Sequence, residues 1–85
     1  MRSEEIGEVV DVGAVFRRGQ KPKPRWFVWS NRRHDVKTVE MAWKGKEGEA
    51  PLLFFSVTDT AGSVFELRFN QKTTEWRLEK VFLEG

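Results

Sequence analysis

The sequence predicts an all-β fold: about six antiparallel strands in up-and-down order, wound into a coiled sheet or a small barrel. Three observations predict it. Residues 63–70 alternate strictly, with Phe65, Leu67 and Phe69 on one side and Glu66 and Arg68 on the other, which is the period of a half-buried strand. Short runs rich in Val and Phe are separated by turn chemistry at Ser30 and Asn31, at residues 59–62 and at 71–74, the punctuation of a meander. Several runs are apolar on both parities, such as Trp26, Phe27, Val28 and Trp29. A flat sheet would leave one of those faces in water, so the sheet must curl onto itself.

Each element follows from its residues. Residues 1–6 are polar and read as a disordered tail, leaving 7–85 as a single small β domain. Residues 8–16 carry Val10, Val12, Ala14 and Phe16 at period two and read as a strand, with Gly13 a possible bulge. Residues 17–24 contain Pro22 and Pro24, which cannot donate to a ladder, and read as an exposed extended loop. Residues 25–29 and 33–44 read as the arms of a hairpin about a tight turn at 30–32, where Asn tolerates a positive φ. Phe27 and Trp29 share one face of the first arm, and Trp26 and Val28 the other; burial of Phe27 and Trp29 would leave Trp26 partly exposed beside Arg25. The second arm has a helical alternative: Asp35 as cap, with Val36, Val39 and Trp43 in an i, i+3, i+7 stripe. Its Val and Thr content favours strand, with Val39, Met41 and Trp43 on one face and Thr38, Glu40 and Ala42 on the other.

Residues 44–50 read as a polar loop and 52–58 as a short apolar strand. A type I turn at 59–62, with Gly62 in the left-handed position, joins it to the strand at 63–70. The last segment, 75–84, is again ambiguous. A helix capped by Thr74 would align Leu78, Val81 and Phe82, but strands Trp76 and Leu83 on its far side. A strand with a bulge near Glu79 and Lys80 buries more of the set.

Composition narrows the functions. The chain has 85 residues, no Cys and one His, so disulfides and thiolate metal sites are excluded, and a zinc site lacks its ligand types. No metal and no cofactor is expected. His34 beside Asp35 is not a catalytic pair on a strand, because neighbours point to opposite faces. No glycine-rich phosphate loop precedes a helix. The expectation is a non-enzymatic protein. Its apolar runs are too short to span a membrane, and no secretion signal follows the N-terminus, so a cytoplasmic location without membrane contact is expected.

The net charge of +2 conceals an asymmetry. Residues 17–46 hold ten Lys and Arg against two Asp and Glu, a charge of +8, while the remainder carries −6. Arg17, Arg18, Lys21, Lys23 and Arg25 precede the aromatic cluster; Arg32, Arg33 and Lys37 follow it. Such cations neutralise phosphates, and an exposed Trp26 could stack on an unpaired base. These nine residues are the candidate nucleic-acid contacts.

The run Phe27-x-Trp29-x-x-Arg32-Arg33-His34-x-Val36, then Val39 and Trp43, Phe55-x-Val57, Gly62-x-x-Phe65-Glu66-Leu67 and Trp76-x-Leu78-x-x-Val81 resembles an uncharacterised family of short bacterial β domains. Some of its members are encoded beside or within error-prone DNA-repair polymerase systems. The likeness spans about residues 25–83. Ser30 and Asn31 stand where the family pattern has Arg-Gly, and His34 where it has an aromatic. The resemblance implies strands at both ambiguous segments, and it brings no activity or site residue with it. Two functions of different class follow: a small protein-interaction module, docking through an edge strand or an exposed aromatic patch, or a weak nucleic-acid binder using the basic segment.

Overall fold

Turn chemistry sets the meander. In the computed structural model, which describes residues 2–83, Ser30 and Asn31 both adopt positive φ, 54° and 62°. That is the type I′ geometry whose twist matches the flanking strands. The turn is therefore two residues long, with Arg32 already paired to Trp29. Gly48 (φ 59°) begins a second two-residue turn, and Glu47 pairs with Ala50 across it. Asp59 starts the third turn, in which the Gly62 N–H donates to the Asp59 carbonyl at 3.0 Å.

Seven antiparallel strands result among the described residues: β1 (Arg2–Val9), β2 (Asp11–Val15), β3 (Lys23–Trp29), β4 (Arg32–Glu47), β5 (Ala50–Asp59), β6 (Val64–Asn70) and β7 (Trp76–Leu83). They form one sheet in the order β1-β7-β6-β5-β4-β3-β2. The all-β meander stands, and both ambiguous segments are strands. The sheet is not closed by a ladder, but its two edge strands are consecutive in the chain. Val10 lies between them and donates its N–H to the Trp76 carbonyl at 3.1 Å, while Asp11 already pairs with Val28. The chain thus passes from the β7 edge to the β3 edge within one residue, which requires a strongly curled sheet.

Phe27, Phe55, Val57, Phe65, Leu67 and Leu78 fill the interior of the curl, each essentially inaccessible to water. Phe27 meets Phe65 edge-on at 5.0 Å between ring centroids, so β3 packs across the core against β6. Trp29 packs against the same core, whereas Val28 is exposed and Trp26 half-buried on the outer face. The expected bulge near Glu79 is present: Glu66 pairs with Lys80 and Leu67 with Leu78, leaving Glu79 without a partner of its own.

Four expectations change. Residues 2–6, read as a tail, belong to β1 and pair with β7; Met1 lies outside the described residues. The strand expected at 8–16 is split between the end of β1 and β2. Residues 44–47 continue β4 rather than forming a loop. The faces of β4 differ as well, because Lys37 and Glu40 are each an extra residue against β5. Every such bulge shifts side chains to the opposite face. Val36, Val39 and Ala42 therefore oppose the inward residues Asp59, Val57 and Phe55, while Met41 and Trp43 oppose Ser56 and Phe54 on the outside. Two bulges turn a period of two into a period of three, which is why this strand imitates a helix.

A cationic groove between diverging strands

The bulges in β4 have a counterpart in β3. Gly13 pairs with Trp26 and Ala14 with Pro24, so Arg25 is an extra residue on β3. Strands β3 and β4 pair only from Trp26 with Asp35 to Trp29 with Arg32. Beyond Val36, β4 bends away with β5 as its ladder partner. A groove of about 650 Å³ opens in the gap. Residues 20–25 form one wall, residues 36–39 with Ala42 form the other, and Phe55 lies at the floor. A second groove of about 650 Å³ continues past Pro22, where Lys21 and Lys44 flank Leu53, Phe69 and Phe16. Phe16 rests edge-on against Phe69 at 5.6 Å.

The wall at 20–25 is not the freely exposed loop that its prolines suggest. Pro22 and Pro24 are both buried, and the Gln20 N–H closes a turn on the Arg17 carbonyl at 3.1 Å. The rings anchor the segment while the intervening Lys21, Lys23 and Arg25 project into solvent.

The first groove is lined by Lys21, Lys23, Arg25 and Lys37 and the second by Lys21 and Lys44, with no carboxylate among the described residues in either. None of the five makes an ion pair among the described residues. Four of the nine residues singled out from sequence therefore converge. The other five do not line the grooves. Arg17 and Arg18 sit in the exposed turn before Gly19, and Arg32 at the β3–β4 turn. Arg33 is already engaged, with its Nε 2.9 Å from Asp35 Oδ1 and its guanidinium carbon 4.9 Å from the centre of the Trp26 ring. Trp26 in turn lies over Gly13, where a Cβ would come within 2.1 Å of the indole. The ring proposed for base stacking is thus occupied from within the sheet. The sequence reading missed Val36, Val39, Ala42 and Phe55 as groove residues, because only the divergence of β3 from β4 exposes them. Lys44 was missed too, although it belongs to the same positive block.

A second polar constellation lies on the other side of the β3–β4 pairing. Asp59, 4% exposed, is a charged residue buried in the core. Its Oδ1 accepts the N–H groups of Ala61 and Ser63 at 3.1 and 2.8 Å, and its Oδ2 lies 3.1 Å from His34 Nδ1. The imidazole stacks on Phe27 at 4.9 Å and meets Phe65 edge-on at 5.2 Å. His34 thus pairs with Asp59, 25 residues away, rather than with its neighbour Asp35. Neither residue lines the two grooves. With the Thr60 N–H donating to the Asp35 carbonyl at 3.0 Å, the pair locks the β5–β6 turn onto β4 just below the point where β4 leaves β3.

No family model, no curated protein and no solved structure matches the chain.

Proposed function

We propose that this chain is a non-catalytic, cytoplasmic binding module that docks a negatively charged protein partner in the groove between β3 and β4. The observation that carries the reading is the concentration of Lys21, Lys23, Arg25 and Lys37 around a groove lined by no carboxylate among the described residues, with Lys44 on the adjoining groove. Unpaired cations in one concavity raise the local concentration of anionic ligands and speed their association. A protein partner is favoured over nucleic acid because Trp26, the ring singled out for base stacking, is committed to Gly13 and Arg33. Membership of the family of short bacterial β domains, with its link to repair polymerases, is proposed on the motif residues alone.

Fluorescence anisotropy at about 50 mM salt tests the reading, with labelled polyglutamate and labelled oligothymidylate as probes. Polyglutamate is expected to bind and to weaken steeply as salt rises. The combined variant K23E, R25E and K37E is expected to abolish binding while keeping the melting temperature of the parent. Tighter binding of oligothymidylate, lost in the same variant, would transfer the groove to nucleic acid. Failure of both probes would overturn the proposal.

A further inference from the structure

Resting on that reading, we infer that the occupant of the groove is an extended acidic segment that adds to β4 as an extra strand. β4 runs for 16 residues, yet β3 accompanies it only as far as Asp35. From Val36 to Glu47 its ladder partner is β5 alone. Backbone N–H and C=O groups alternate between the two sides of a strand, so this stretch presents a row of them toward the groove. The facing wall cannot supply a full matching ladder, because Pro22 and Pro24 have no N–H. An incoming strand would satisfy the β4 edge directly.

The groove also dictates what that strand carries. Successive side chains of a strand point to opposite faces. One set would face Val39, Ala42 and the Phe55 floor, and the other would face Lys23, Arg25 and Lys37 at the rim. The matching segment alternates apolar with acidic residues. From Val36 to Ala42, β4 has five positions in register with β5, so about five residues of partner are accommodated at ~3.3 Å each. A second copy of this chain using the same edge is disfavoured, since it would bring the same cations into the groove. The acidic β1 of the chain is already paired with β7. Strand addition of this kind takes affinity from main-chain hydrogen bonds and specificity from alternate side chains.

The test uses the full chain and a short peptide alternating glutamate and valine, prepared unmodified and with N-methyl groups on either the odd or the even residues. A ladder uses the N–H groups of one peptide edge only. One methylated series should therefore lose at least about tenfold in affinity, the equivalent of ~1.4 kcal/mol, while the other stays close to the parent peptide. Amide exchange within residues 36–42 should slow on binding the parent peptide. Binding of the parent and both methylated peptides with equal affinity, without slowed exchange in 36–42, would overturn strand addition and leave the cationic docking surface intact. Failure of the parent peptide and of polyglutamate alike would overturn both.

Discussion

Replacing Asp59 by Ala should be among the most costly single changes in this protein, and the structure says by how much. The carboxylate accepts three hydrogen bonds, from Ala61, Ser63 and His34. A net value of about 1 kcal/mol for each gives a loss of roughly 3 kcal/mol. In a domain of this size 1 kcal/mol moves the melting temperature by about 4–8 °C, so the midpoint should fall by roughly 12–24 °C. Asp59→Asn separates the parts. Its amide oxygen can still accept from the two turn N–H groups, but a neutral NH₂ replaces the carboxylate oxygen opposite His34 Nδ1. About 1–2 kcal/mol should be lost in that case. His34→Ala removes the ring packed against Phe27 and Phe65 as well as the hydrogen bond. The cycle of His34→Ala, Asp59→Ala and the double variant should leave a coupling of about 1 kcal/mol. Urea denaturation followed by tryptophan fluorescence measures all four proteins. A loss below about 1 kcal/mol for Asp59→Ala would refute the claim that this buried carboxylate holds the turn onto β4.

Two other perturbations address the sheet. Gly13→Ala puts a methyl into the Trp26 ring and should cost about 1–3 kcal/mol by overpacking; in a Trp26→Ala background most of that cost should vanish, as a double-variant denaturation series would show. Burial pushes the Glu66 carboxyl above its ordinary range, with Lys80 opposing the shift and Glu79 adding to it. The folded protein therefore holds this proton more tightly than the unfolded chain, and ionising Glu66 costs stability at any pH above the raised value. That cost is relieved as the pH falls through the folded value toward the unfolded one. Glu66→Gln should accordingly be more stable than the parent at neutral pH, with the difference shrinking in acid, and melting curves across that range provide the check.

Much of the architecture was open to reading from local residues. Strict alternation placed β6, the mixture of Asn with Ser marked the first hairpin, and one bulge at Glu79 brings Trp76, Leu78 and Val81 inward as expected, whereas Leu83, expected inward with them, is exposed. Strand β1 was not readable. It is an exposed, acid-rich edge with no apolar alternation, and its partner β7 lies at the far end of the chain. The face pattern of β4 was misread because bulges at Lys37 and Glu40 depend on the β5 register, and their one local trace, a period of three, reads equally well as a helix. Asp59 looked like an ordinary turn residue, and nothing near it in sequence revealed that it would be buried against His34.

The same division runs through the candidate site. Amino-acid order alone determined that the chain is β-rich, that thiolate chemistry is excluded, and that a block of +8 lies between residues 17 and 46. Those are properties of residue type and short-range period, which every conformation of the chain shares. Tertiary structure decided that Arg33 would be taken up by Asp35 and Trp26, and that Lys21, Lys23, Arg25 and Lys37 would share one groove. Both outcomes follow from where β3 and β4 part company. That point coincides with the bulges at Arg25, Lys37 and Glu40, which are set by the registers of β3 with β2 and of β4 with β5, long-range pairings that no short stretch of sequence contains.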